Sequence, residues 1–187
     1  HTMKIIILGA GQVGETLAEN LVKEGNDITL VDINSKRLSE LQFKLDIQTI
    51  IGSAAQPNIL IKAGCEHADM LIAVTNCDEV NMLACFICYN LFRTPHKVAR
   101  IRSQDFLTYP ELFSKEKLSI DVCISPEHLV TNHIKRLIEY PGTSQVLDFA
   151  KGALQLIIVK PQLGGQMIGK TIHNLYEHLK NIPMKIA

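Results

Sequence analysis

Lys4-Ile5-Ile6-Ile7-Leu8-Gly9-Ala10-Gly11-Gln12-Val13-Gly14 is the stretch that decides the fold. Its first five residues form an apolar, β-branched run with no polar alternation. Such a run reads as a strand covered on both faces, as in a parallel sheet. A Gly-x-Gly-x-x-Gly loop follows directly. Beyond it, Val13, Leu17 and Leu21 recur at a spacing of four, which predicts a helix to about Glu24 with Gly25 as its stop. Ile28 to Val31 reads as a second strand, and it closes on Asp32, eighteen residues after Gly14. The glycine pattern alone says little. Set between a strand and a helix, with an acid closing the next strand, it points to nucleotide binding.

Working outward, the alternation continues. Asn34 or Ser35 caps a helix through Leu45, and Ile47 to Ile51 is a third strand. Pro57 to Ala63 is a short helix with proline at its start and Gly64 after its end. Met70 to Val74, Lys97 to Ile101 and Ile120 to Ile124 read as strands four, five and six, with helices at Asp78 to Phe92 and Asp105 to Phe113 between them. Strands alternating with helices predict an α/β fold: a Rossmann-like, doubly wound, parallel six-stranded sheet in the order 3-2-1-4-5-6, spanning 3–124. The pattern then changes. Ser125-Pro126 opens a helix with Leu129, Val130, Ile134, Leu137 and Ile138 on one face, stopped by Pro141-Gly142. This segment, 125–142, reads as a crossover helix. Apolar runs from Gln145 to Ala150 and Leu154 to Val159, a turn at Leu163-Gly164-Gly165 and a helix from Lys170 to Leu179 make 143–187 the truncated start of a second, small α+β subdomain.

Composition narrows the function. Among 187 residues, 47% are hydrophobic and 20% charged, which excludes a disordered chain. Nineteen basic residues balance nineteen acidic ones, so neither nucleic acid nor an anionic membrane is an expected partner. No apolar run approaches the ~18 residues of a membrane span, so no direct insertion is expected. His1-Thr2-Met3 reads as an expression remnant ahead of a native Met3. The five cysteines are an odd number without a secretory signal, which fits a reducing compartment. Cys85 and Cys88 sit in an apolar helical stretch, where free thiols pack as small hydrophobes.

The candidate site residues follow from the chemistry of the glycine loop. Gly9 permits the tight turn, Gly11 leaves room for a pyrophosphate at the backbone, and Gly14 lets helix and sheet approach. The first turn from Gln12 and Val13 offers free N–H groups and the positive end of the helix dipole. The Asp32 carboxylate can accept hydrogen bonds from both hydroxyls of an adenosine ribose and would repel a 2′-phosphate, favouring NAD or NADH over NADP. Lys36 and Arg37 either relieve that repulsion or are solvated charges on a helix. An adenosine ribose occurs equally in ATP, ADP and AMP, so mono- and dinucleotides both remain open. Ser53, Thr75, Asn76 and Arg100 follow or end the other strands at the carboxyl edge, where ligands sit in this fold class. Arg100 can reach a phosphate or the far ribose, or pair with Asp78 or Glu79. No histidine is placed after a strand at this edge, and no Gly-x-Ser-x-Gly elbow, Walker lysine or His-Glu-x-x-His occurs. Neither a catalytic set nor a metal site is therefore expected, and the nucleotide reads as a ligand to be sensed.

Lys4 to Gly14, Ala68-Asp69-Met70-Leu71-Ile72-Ala73-Val74-Thr75-Asn76-Cys77-Asp78-Glu79-Val80-Asn81-Met82 and Val98-Ala99-Arg100-Ile101-Arg102-Ser103 together resemble the RCK (regulator of potassium conductance) domain. The segments Ile124 to Glu127 and Arg136 to Gly142 fit the same family. The resemblance implies a cytosolic regulatory protein, peripheral to the inner face of the plasma membrane. It implies binding of NAD or NADH, with ATP and ADP as further candidates, and gating of a membrane potassium-translocating subunit. It also implies a full protein with two such halves, this chain being the first. Family binding positions fall on Gly9 through Val13, Asp32, Ser53, Thr75, Asn76 and Arg100; Ser53 stands where many members carry an acid. The helix matching Pro126 to Tyr140 crosses to a neighbouring domain in the family, implying a homo-oligomer. The plainer alternative is that Leu129, Ile134 and Leu137 cover this chain's own sheet. Rival functions are an NAD-dependent oxidoreductase lacking its substrate domain, and a nucleotide-free assembly module.

Overall fold

Successive residues of a strand point to opposite faces, so an unbroken apolar run needs a hydrophobic layer on each side. In the computed structural model, which describes residues 2–139, 144–159 and 177, β1 (Lys4–Leu8) meets that demand. Ile5 and Ile7 pack with Leu17 and Leu21 of α1 (Gln12–Lys23) on one face. Ile6 and Leu8 pack on the other face, in the layer that holds Leu60 of α3 (Pro57–Ala63) and Met82 and Cys85 of α4 (Asp78–Phe92). The strands β2 (Asp27–Asp32), β3 (Gln48–Ile51), β4 (Met70–Ala73), β5 (His96–Arg100) and β6 (Val122–Pro126) complete a parallel array in the order β3-β2-β1-β4-β5-β6. Leu8 is in register with Val31 and Ala73, so the carboxyl ends of the three central strands lie level and their loops share one edge. The remaining α/β helix, α2 (Ser35–Lys44), starts where the Asn34 side chain accepts the Arg37 N–H. Left-handed residues end α3 and α4, at Gly64 and Arg93.

The sheet does not stop at six strands. β7 (Ser144–Phe149) and β8 (Leu154–Val159) add an antiparallel hairpin to β6, extending the order to β3-β2-β1-β4-β5-β6-β8-β7. The two apolar runs expected in a second subdomain thus hydrogen-bond to the first sheet. Their turn runs through Ala150, Lys151 and Gly152, all at positive φ. Pairing with β8 also shifts β6 by two residues from the expected 120–124, because the ladder continues through Ser125 opposite Gln155 and Pro126 opposite Leu154. The helix expected from Ser125-Pro126 is displaced accordingly. One 3₁₀ turn at Glu127–Leu129 comes first, and α6 (Asn132–Glu139) begins after Thr131, whose hydroxyl accepts the Ile134 N–H. Val130, Ile134 and Ile138 are buried in this chain's own core while Leu129 and Leu137 are half-buried, so the face expected to cross to a neighbouring domain packs in part on this chain. The helix expected at Asp105 to Phe113 is in fact two pieces, α5 (Gln104–Leu107) and a 3₁₀ turn at Pro110–Phe113. Pro110 has no N–H to continue a helix and disfavours helical geometry at Tyr109. No helix among the described residues is long and apolar enough to cross a membrane. The expected stop at Pro141-Gly142, the turn at 163–165 and, Glu177 apart, the helix at 170–179 lie outside the described residues.

Candidate functional site

The loops at the carboxyl edge enclose a cleft of about 810 Å³. Gly9 stands at its floor with φ +105, and a Cβ there would lie 2.8 Å from the Val74 carbonyl oxygen and 2.9 Å from the Thr75 nitrogen. A Cβ on Gly14 would collide with the Gly9 carbonyl oxygen, so α1 can only approach the loop this closely as glycine. Gly11 differs: a Cβ there would meet nothing within 4 Å. It lines the cleft, and that open space is what an incoming phosphate would use. Gly11 is also the N-cap of α1 and provides no side-chain cap, which leaves the first-turn N–H groups to an external acceptor.

Asp32 is already engaged. Its Oδ1 accepts the Ala10 N–H at 3.0 Å, and its Oδ2 accepts the Asn34 N–H at 2.9 Å. A carboxylate offers about four lone-pair sites, so two remain for ribose hydroxyls. Arg37 is neither of the expected alternatives. Its Nε donates to the Ala10 carbonyl at 2.8 Å, and its Nη2 pairs with Glu15, whose other oxygen takes Lys44 at 2.8 Å. Hydrogen bonds from Lys44 and then Arg37 hold the Glu15 carboxyl below its ordinary value against the opposing effect of burial. Arg37 is thus committed inside the fold, while Lys36 is exposed.

The facing wall is built by α4. The Asn81 side chain is fully buried and uses its whole capacity. Oδ1 accepts from the Thr75 N–H at 2.9 Å and from the Thr75 hydroxyl, while Nδ2 donates to the carbonyls of Thr75 at 3.1 Å and Arg100 at 2.9 Å. Asp78 accepts the backbone N–H groups of Arg102 and Ser103. The end of β5 is thereby tied to the loop after β4. Arg100 has 6% of its surface exposed, and its Nε has no partner. Among the described residues it forms no ion pair, so the pairing with Asp78 or Glu79 is absent. Burial, reinforced by Arg102, holds its guanidinium below the ordinary value. An orphaned, buried donor lining a cleft is suited to an anionic or hydroxyl-rich ligand.

Gly9, Ala10, Gly11, Gln12, Val13, Asp32, Ser53, Thr75, Asn76 and Arg100 all line this one cleft; Gly14 lies behind the loop. Thr75 contributes shape more than a free hydroxyl, because its proton goes to Asn81. The sequence did not single out Asn34, Gly52, Cys77, Val80 or Arg102 as lining residues, nor Asn81 as the brace. An amide on the buried stripe of an otherwise apolar helix was the available signal, since such a group must find partners. His128 falls just after β6 at the carboxyl edge, contrary to expectation, because β6 extends to Pro126; it does not line the cleft. Cys85 and Cys88 are fully buried in the core, and burial pushes the Cys85 thiol up.

Residues 5–126 match the sequence pattern of the TrkA-N domain. Among curated proteins, the chain is 55% identical over 185 residues to the Trk system potassium uptake protein TrkA of Halomonas elongata, covering 99% of this chain and 40% of that protein. It is 52% identical over 186 residues to the protein of the same name in Vibrio alginolyticus, covering 99% of this chain and 41% of that one. The chain therefore spans about two fifths of the length of these relatives. Among solved structures, the TrkA-N domain of the Escherichia coli inner membrane protein ybaL aligns with a TM-score of 0.52 at 22% identity, over 58% of this chain and 80% of that domain. At that identity the likeness is one of fold.

Proposed function

The chain belongs to the TrkA-N domain family, and from that premise we propose that it is the nucleotide-sensing part of a longer potassium-uptake regulator. The observation that carries this reading is the pairing of opposite demands across one cleft. One wall offers glycine-cleared backbone N–H groups and a carboxylate with free lone pairs; the other offers a buried arginine whose Nε is unpartnered among the described residues. That arrangement fits an adenine nucleotide whose diphosphate lies on Gly9 to Val13, whose ribose meets Asp32 and whose far end reaches Arg100, with Ser53, Thr75 and Asn76 shaping the sides. NAD or NADH is the ligand we favour, with ATP and ADP as the other candidates. Asp32 disfavours a 2′-phosphate, and Arg37, bonded to Ala10 and Glu15, is not free to offset that repulsion.

The reading is of a sensor, not a catalyst. Among the described residues, the lining contains no histidine, glutamate or lysine, and its Asp32 and Cys77 are engaged by Ala10, Asn34 and Glu79. Nucleotide binding would bias the protein between arrangements by as much as its affinities for them differ. We place this unit at 3–126 with the β7–β8 hairpin joined to its sheet, and the helix near 126–140 as its link to the rest of a homo-oligomer. The assembly would act in the cytoplasm on a membrane potassium-translocating subunit of the TrkH or TrkG type. Potassium uptake in cells expressing the full-length protein with Asp32→Ala tests this. Uptake that no longer follows the nucleotide pool is expected; uptake regulated as in wild type would overturn the reading.

A further inference from the structure

Ala10 is gripped at both ends, by the last residue of β2 and by the first turn of α2. Asp32 takes its N–H at 3.0 Å, and the Arg37 Nε donates to its carbonyl at 2.8 Å. Asp32 lines the cleft, but the hold on the carbonyl comes from outside it, because neither Arg37 nor Glu15 is a lining residue. A trans peptide points its C=O and the following N–H in opposite directions. Holding the Ala10 carbonyl toward Arg37 therefore turns the Gly11 N–H away from Arg37. No acceptor among the described residues takes that N–H, and Gly11 itself lines the cleft.

The orientation needs holding because Gly11 makes it easy to lose. Gly11 sits at φ -75 with open space where a Cβ would be. Rotating the Ala10–Gly11 peptide by half a turn would carry that φ to positive values, which glycine adopts about as readily as negative ones. The feature that clears room for phosphate also lowers the cost of presenting it with a carbonyl oxygen. Arg37 is well fixed to prevent this. Its own N–H is the one capped by Asn34, and its guanidinium is pinned by Glu15, which Lys44 braces from the far side.

We infer that Arg37 is a positioning residue for phosphate recognition: it locks the Ala10–Gly11 peptide with the Gly11 N–H facing the ligand, so that one more backbone donor meets the diphosphate. The inference rests on the nucleotide reading of the cleft, and adds to it a residue that touches no ligand. It also gives Glu15, an acid in the first turn of the phosphate-facing helix, a use. Its charge there would oppose an anion, but it is neutralised by two cations, one of which sets the loop.

The test compares ADP with adenosine, which lacks phosphate, on wild type, Arg37→Lys and Arg37→Met, by calorimetry and NMR titration, beside thermal melting of each protein. ADP binding is expected to weaken roughly tenfold or more in Arg37→Met and less in Arg37→Lys, while adenosine changes by less than about twofold. A purely structural role would lower the melting temperature and weaken both ligands alike, and that result, or undiminished ADP binding, overturns the inference. Wild type that binds neither ligand would reject the nucleotide reading instead. A crystal structure of the Arg37→Met variant then still decides the peptide: a rotated or mixed Ala10–Gly11 unit supports the lock, and an unchanged one overturns it.

Discussion

On the β1–β2 side of the cleft, the loop takes its shape from side chains that are missing. Gly9 admits the Val74 and Thr75 backbone, Gly14 admits the Gly9 carbonyl, and Gly11 leaves a gap. What fixes that loop comes from its edge, through Asp32, Arg37 and Glu15, all partly exposed. On the β4–β5 side the reverse holds. Buried side chains, Asn81 and Asp78, reach into the loops and satisfy their backbone groups from within. The first wall is therefore readable as a spacing of residue types, since a glycine needed for clearance leaves a letter in the sequence. The second is readable only once tertiary geometry shows which carbonyl an amide meets. The first wall offers a ligand its backbone; the second offers a cation whose Nε has no hydrogen-bond partner among the described residues.

Breaking each wall should show the contrast. Gly14→Ala has the largest expected effect. The new methyl meets a backbone carbonyl that cannot move without dragging β1, so we expect a loss of about 3 kcal/mol or more, or failure to fold, measured by chemical denaturation. Asn81→Ala should come next. It strips partners from Thr75 and from the Arg100 carbonyl in a buried setting, and an unsatisfied buried group costs about 1–3 kcal/mol. Amide hydrogen exchange should localise that loss to the loops after β4 and β5 and spare Gly9 to Gly14. Equal loosening of both walls would mean that the two are not held independently.

The same division explains what the sequence made legible. β1 to β5 and α1 to α4 were readable because their apolar periodicities are local, and α3 and α4 end where glycine or the last periodic residue says they should. The far edge was not, because it depends on a distant partner. β6 reaches Pro126, and the helix after it is displaced, only because β8 pairs with it from thirty residues away, a contact no local pattern encodes. Arg37 was misread for a related reason. A basic residue in the first turn of a helix resembles any solvated charge until the Ala10 carbonyl and Glu15 are brought beside it. Arg100 reads from the sequence as a cation at the right edge, but that its Nε lacks a hydrogen-bond partner among the described residues is a property of the folded chain alone.

The most direct measurement is calorimetric titration of NADH, and then ATP, into this chain and its Asp32→Ala variant. Saturable one-site binding to wild type is expected, weakened roughly tenfold or more when the ribose-facing carboxylate is removed. Absence of binding by either nucleotide, or binding that Asp32→Ala leaves untouched, would contradict the assignment of this cleft.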